Sequence, residues 1–316
     1  MSRCANRGCA VAKLSVGVLG ASSMVGQNLL PLLANEGWHV EAFSRQTQVA
    51  GQPVDKDARI AFRLLEGSNC DHAVFSTARK NITHWVCLAP IWVLPDYFSM
   101  LMAHQAKRIV ALSSTSIFTK ETSSDPSEQN TADKLRNGEQ HFSAWAEANR
   151  IEWVILRPTL IYGLGQDRNI CEIARFISRF GFFPLLGAAQ GLRQPVHVED
   201  IATACAAALQ SARVVNHAYN LSGAEKLSYR EMVGRIFRIM GKPERFINIP
   251  LFVFRSAVAC LRTLPRFRNW SVAMAERMNT DLVFDHTDAA HDFGFSPKLF
   301  QPGKVDIPIS GSNNSR

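Results

Sequence analysis

Apolar positions in this chain come in short runs separated by longer amphipathic stretches. Residues 14–19 (LSVGVL) form an apolar run closed by Gly20. Ala21-Ser22-Ser23-Met24-Val25-Gly26 follows, then a helical pattern over 28–35, and residues 38–43 read as a second strand. A strand, a glycine-containing turn, a helix and a strand within about 30 residues predict a βαβ unit of a parallel sheet. Further strands are predicted at 85–89, 108–113 and 153–156, separated by segments long enough for crossover helices. The alternation predicts a doubly wound α/β sheet.

Two helix starts are marked by side-chain chemistry. Asp125-Pro126-Ser127-Glu128 offers a capping acceptor, a proline at the first helical position and a carboxylate three residues after the cap, and the helix should run to about Asn149. Ser228-Tyr229-Arg230-Glu231 opens a second such helix, stopped by Gly241. Beyond Gly223 the alternation fades, which predicts a smaller, mostly helical C-terminal substrate cap. The expected division is 13–223 for the dinucleotide-binding domain, with a substrate-loop insertion at about 164–195, then 224–303 for the cap and 304–316 for a frayed tail. No internal repeat is visible.

Composition narrows the class. With 316 residues, 47% of them hydrophobic and 20% charged, the chain can bury a substantial core. A formal charge of +8 invites nucleic acid, anionic lipid or phosphorylated small molecules. The basic residues are dispersed without a recognition-helix or RNA-binding aromatic signature, so nucleic acid is not expected. Seven cysteines without a Cys-x-x-Cys pair suit free thiols, and a cytoplasmic location is expected. The first 13 residues lack the apolar segment of a secretory signal. The nine histidines show no metal-ligand spacing and the carboxylates form no obvious cluster, so no metal is expected.

Placed between strand and helix, Gly20 and Gly26 would allow a tight turn and close helix packing, with the N–H groups of the helix start turned to a pyrophosphate. Ser23 stands at the usual middle glycine position. The second strand ends Phe43-Ser44-Arg45 with no acid at its tip to bind ribose hydroxyls. NADP is therefore expected as cofactor, with NAD the second choice; Arg45 meets a 2′-phosphate or is a solvated loop cation.

These pieces continue along the chain as His84-Trp85-Val86-Cys87-Leu88-Ala89-Pro90, Val110 to Phe118, Leu156-Arg157-Pro158-Thr159-Leu160-Ile161-Tyr162-Gly163 and Pro195-Val196-His197-Val198-Glu199-Asp200. In order and spacing, over roughly 14–300, the chain resembles the extended short-chain dehydrogenase/reductase superfamily, specifically the NAD-dependent epimerase/dehydratase type that acts on nucleotide sugars. The resemblance implies a Rossmann-type fold. It assigns Gly20, Ser22, Ser23, Met24, Val25 and Gly26 to the cofactor, together with Ser44, Arg45 and Ala89. Such enzymes pair a serine at a strand end with a tyrosine four residues before a lysine; the tyrosine shuttles the proton and the lysine lowers its pKa and holds the ribose. Ser114 matches the serine position. None of the four tyrosines, Tyr97, Tyr162, Tyr219 and Tyr229, precedes a lysine by four. The lysine candidate is Lys134, with Asn130 four residues before it, and asparagine is no base.

On the substrate side the resemblance points to Arg193, four residues before His197, for a diphosphate, and to Asn169 and Arg168 for further nucleotide contacts. Arg193 is otherwise an exposed loop arginine. Structural roles are expected for His197 and for Asp200 as a helix cap; Tyr162, the nearest tyrosine to the expected cleft because it follows the strand at 153–156, is either structural or takes the proton role. Residues 250–268 mix apolar positions with Arg255, Arg262, Arg266 and Arg268: they read as a cap helix, with peripheral membrane contact open. The expected function is hydride transfer on a nucleotide sugar or similar small carbonyl or hydroxyl substrate. The alternative is a non-catalytic dinucleotide-binding assembly or sensor protein. A homodimer stays open.

Overall fold

The computed structural model describes residues 14–45, 59–65, 81–254 and 272–307. The predicted strands are present as β1 (Ser15–Leu19), β2 (His39–Ser44), β4 (His84–Cys87), β5 (Arg108–Leu112) and β6 (Glu152–Pro158). Two strands that the pattern does not predict, β3 (Ile60–Leu64) and β11 (His217–Leu221), close the sheet at its edges. All pair in parallel in the order β3-β2-β1-β4-β5-β6-β11. The connection changes direction between β1 and β4, and that is where a crevice opens beyond the carboxyl ends of a doubly wound sheet. The edge strands escape a hydrophobic reading because each is only part covered, so Arg63, His217 and Asn220 interrupt their apolar positions.

Period-two alternation divides the central strands between two layers. Val16, Val18, Val86, Val110, Val154 and Leu156 face the helices α1 (Met24–Asn35) and, later in the chain, the alanine-rich Val198–Gln210. Leu19, Trp85, Cys87, Ile109, Ala111 and Ile155 face the other way. There they meet the 3-10 turn Ile91–Tyr97, α2 (Phe98–Ala103) and the long helix Pro126–Ala148, which follows the short α3 (Ser116–Thr119) and is α4. The predicted cap of α4 is present: Asp125 accepts the Ser127 N–H at 2.9 Å.

A second core stands beside the sheet. It joins α5 (Asn169–Phe180) and β8 (Phe183–Leu186) to α7 (Tyr229–Ile239), where α6 denotes Val198–Gln210, through Ile173, Ile177, Met232, Ile236 and Phe237. Segments far apart in sequence build it. β7 (Ile161–Tyr162) pairs in parallel with β10 (Val196–His197), β8 in parallel with β13 (Phe246–Ile249), and β9 (Leu192–Arg193) antiparallel with β12 (Leu227–Ser228). Ser228 caps α7 as predicted, accepting the Glu231 N–H at 3.1 Å. Asp200 does not cap α6. His197 holds that position, its Nδ1 accepting the Glu199 N–H at 3.3 Å, while Asp200 accepts the Lys298 N–H at 2.9 Å.

Arg108, at the start of β5, ties the sheet to the end of α6. Its guanidinium donates to the carbonyls of Ala208, Ser211 and Val214 at 2.9, 2.5 and 2.6 Å and pairs with Glu152 at 2.7 Å. It is 6% exposed, so removing it leaves buried acceptors without donors. Arg108→Leu is expected to cost about 3–5 kcal/mol in urea unfolding. Arg136→Ala, which removes exposed pairs with Glu121 and Asp133, should stay within about 1 kcal/mol. Equal losses in the two variants would show that Arg108 does not brace the sheet.

Candidate functional site

The turn after β1 is built by close approach. Gly20 has φ +80°, and a Cβ there would lie 2.8 Å from the Ala89 backbone nitrogen; one on Gly26 would lie 2.2 Å from the Ala21 carbonyl oxygen. Glycine at both places lets the chain fold back under β4 and lets α1 start directly behind the turn. The Phe43 carbonyl accepts N–H bonds from Gly20 and Ala21, both at 3.1 Å, which brings Ser44 and Arg45 beside the turn. Ser23, at the middle glycine position, caps α1: its hydroxyl accepts the Gly26 N–H at 3.1 Å. Met24 and Val25 then present first-turn N–H groups with no intrahelical acceptor. This cradle fits a dinucleotide pyrophosphate. Ser44 is buried and Arg45 exposed, and the β2 acid, Glu41, is held by Arg63 at 2.8 Å, three residues before the tip.

Two cavities adjoin at the carboxyl end of β5. The smaller, about 360 Å³, is lined by Ser23, Met24 and Val25 from the turn, by Ala89, and by Ser113 and Ser114. The larger, about 780 Å³, runs from Ser114 toward the second core and includes Asn169 and Arg193. Met24, Ser114, Ser116 and Ile161 line both. Of the residues expected at the site, Ser23, Met24, Val25, Ala89, Ser114, Asn169 and Arg193 thus come together. Gly20, Ser22, Gly26, Ser44 and Arg45 lie outside both linings, in and beside the turn. Ser114 accepts the Ser116 N–H at 3.1 Å, which leaves its own O–H to donate into the shared space.

Lys134 requires a correction. It is exposed, as is Asn130, and neither lines a cavity. The side chains that α4 presents to the smaller cavity are Thr131 and Leu135, also four residues apart. The buried stripe of α4 runs through Glu128, Ala132, Leu135, Glu139, Phe142 and Ala146, so a group serving the sheet edge must fall on it, and Lys134 is one residue off. That stripe is the signal from which the register could have been read. Thr131 donates to the Ser127 carbonyl at 2.9 Å. One turn beyond Leu135, Glu139 is buried, accepts from Ser113 at 2.5 Å and is gripped by Arg157 through Nε and a terminal nitrogen at 2.5–3.1 Å. Arg157 also lies 5.2 Å over the Phe118 ring.

Three cysteines and two of the tyrosines are removed from the cavities. Burial pushes the thiols of Cys87, Cys171 and Cys205 up to about 12, and none lines either cavity. Tyr162 is 2% exposed, set edge-on to His197 and Phe300, with its hydroxyl pKa raised by burial. Tyr219 donates to Asp292 at 2.7 Å. Tyr229, which sequence reasoning placed only in a helix start, lines the larger cavity, and burial raises it to about 12.

Arg193 is no exposed loop residue. At 4% exposure, it donates to the Leu192 and Thr280 carbonyls at 2.7 and 2.8 Å and to that of Arg277, with its guanidinium 5.5 Å from the centre of the Tyr229 ring. Burial lowers its pKa to about 10. Arg277, on α8 (Val272–Asn279), pairs with Glu128 of α4 and closes one side of the larger cavity. Asp167 accepts the Ile170 N–H at 2.6 Å and so holds the start of α5, where Arg168 and Asn169 stand exposed in the lining. Most of the basic stretch 250–268 lies outside the described residues. Among the described residues no helix is long and apolar enough to cross a membrane, and no group of three or more metal-binding side chains is present.

Known proteins agree with this architecture. The model of the NAD dependent epimerase/dehydratase family matches residues 97–222. The chain is 28% identical over 169 residues to the mitochondrial NADH dehydrogenase [ubiquinone] 1 alpha subcomplex subunit 9 of Arabidopsis thaliana, covering 50% of this chain and 42% of that protein. It therefore spans less than half of that relative. It is 24% identical to the 2-alkyl-3-oxoalkanoate reductase of Stenotrophomonas maltophilia, covering 89% of this chain and 94% of that one. The Bacillus cereus UDP-glucuronic acid 4-epimerase, solved with UDP-glucuronic acid and NAD, superposes with a TM-score of 0.69 at 16% identity, covering 90% of this chain and 95% of the other; at that identity the likeness is one of fold. Residues 97–222 thus match the NAD dependent epimerase/dehydratase family model, and the seven-stranded parallel sheet with its flanking helices is the Rossmann-type fold that the solved epimerase shares.

Proposed function

We propose that this chain binds a nicotinamide dinucleotide along the Gly20–Gly26 turn and a small carbonyl or hydroxyl compound in the larger cavity, as a dehydrogenase or reductase with weakened proton transfer. The observation that carries the reading is the pair of cavities meeting at Ser114: one adjoins the glycine turn after β1, the other reaches the second core. When bound, the nicotinamide supplies or accepts the hydride. The Met24 and Val25 amides would hold the pyrophosphate, Arg45 would meet the 2′-phosphate of NADP, and the Ser114 hydroxyl would hydrogen-bond to the reacting substrate oxygen. Threonine and leucine at 131 and 135 supply neither a phenolate nor an ammonium, so the proton would come from elsewhere in the larger cavity, where Lys120 and Tyr229 line the wall, or from water.

A second reading is favoured by those same two residues and by the likeness to a respiratory-complex subunit: the chain binds dinucleotide as an assembly or sensor protein and turns nothing over. A paired variant separates the two. Thr131→Tyr combined with Leu135→Lys should raise NADPH-dependent turnover by roughly a hundredfold or more if the cavity already orients a substrate. An intact dinucleotide-binding variant with no turnover across carbonyl compounds and nucleotide sugars would favour the binding protein.

Arg45→Ala should weaken NADPH binding about tenfold and leave NADH nearly unchanged in thermal-shift titrations. Equal weakening of both would remove Arg45 from cofactor choice. Ser114→Ala should lower kcat by roughly tenfold or more with dinucleotide binding kept, because one hydrogen bond to the reacting oxygen is lost; unchanged kcat would exclude Ser114 from that role.

A further inference from the structure

We infer that the larger cavity takes an elongated, mainly hydrocarbon carbonyl or hydroxyl compound with a single anionic head, and not a nucleoside diphosphate sugar. The inference rests on the two-cavity reading and names the substrate class of the second cavity.

Its inner wall is cut into the second core. Ile173, Phe183, Met232 and Met278 are buried members of that core and line the cavity, with Leu160 and Phe176 packed against them. Leu282 and Phe284 continue the apolar wall. Against these apolar side chains a sugar or diphosphate would lose water without gaining partners, whereas each methylene of an alkyl chain gains from leaving water; of the polar side chains in the lining, Thr115, Thr159, Gln166 and Gln194 already hydrogen-bond within the protein. At about 780 Å³ the space lies in the range of small-molecule sites.

The charges of the lining agree with this. Lys120, Arg168, Arg193 and Arg277 stand against Asp167 and Glu172. Arg277 is neutralised by Glu128, so the lining carries a net single positive charge, whereas a nucleoside diphosphate sugar brings two negative ones. Arg193, expected at a diphosphate, already spends three of its five N–H donors on carbonyls. Lys120 has no ion-pair partner among the described residues and directly follows α3, whose first residue, Ser116, lines both cavities. An anionic head at Lys120 with the carbonyl at Ser114 leaves the alkyl chain to run between α5 and α7.

The experiment is calorimetric titration of the full chain with acetoacetate, β-oxohexanoate, β-oxodecanoate and UDP-glucose, each with and without NADP. Affinity is expected to tighten roughly tenfold for each added pair of methylenes, with UDP-glucose weaker than β-oxodecanoate. Phe176→Ala should weaken β-oxodecanoate about tenfold and leave acetoacetate unchanged; Leu282→Ser gives a second, half-buried position should that variant misfold. Lys120→Gln should weaken all three oxoacids alike, by roughly two- to fivefold. A flat series, or UDP-glucose binding more tightly than β-oxodecanoate, overturns the assignment. The NADP thermal shift is read separately, so a flat series beside an intact shift removes the substrate class and leaves the dinucleotide reading standing.

Discussion

The contact on which the site depends is the one between the start of α1 and the turn that precedes it. A Cβ on Gly26 would sit 2.2 Å from the Ala21 carbonyl, so any side chain there must push the helix away from the strand end. That separation determines where the Met24 and Val25 amides point, where Ser23 can cap, and how near Ala89 comes on the neighbouring strand. Gly20 acts with it, at positive φ against the Ala89 backbone. The Phe43 carbonyl then locks the turn to β2 through two N–H bonds. One steric constraint thus aligns three strands around the crevice where the sheet order reverses.

On the other wall the organising contact is electrostatic. Glu139 is buried on the sheet side of α4, and Arg157 meets it from the end of β6 while Ser113 donates to it from the end of β5. A buried carboxylate needs such partners, and having them at this point fixes the rotation of α4. The rotation brings Thr131 and Leu135 to the cavity and turns Lys134 to solvent. Neither of these two cavity-facing side chains carries an ionisable group, so the buried ion pair positions the helix without itself supplying a proton carrier there.

Much of the architecture was legible along the chain. Central strands are covered on both faces, so β1, β4, β5 and β6 read as apolar runs, and Asp125 and Ser228 mark helix starts because orphan N–H groups need acceptors wherever a helix begins. The glycine turn was legible for the same local reason. Edge strands β3 and β11 were not, since half-covered strands tolerate Arg63, His217 and Asn220.

What the amino-acid order determined by itself was therefore whatever is local: the alternation, the caps at Asp125 and Ser228, the glycine turn, and the lack of a tyrosine four residues before a lysine. Tertiary structure decided which face of α4 meets the cavity where spacing could not, since 130 and 134 share the i, i+4 spacing of 131 and 135; the buried stripe through Leu135 and Phe142 and the Glu139–Arg157 contact together set the rotation. It also decided that Arg193 is a brace, because the carbonyls of Thr280 and Arg277 that engage it arrive from more than 80 positions away. The second core has the same origin: α5 and α7 acquire a shared interior only when the segments around β8 and β13 pair, and that pairing depends on contacts that no local window contains.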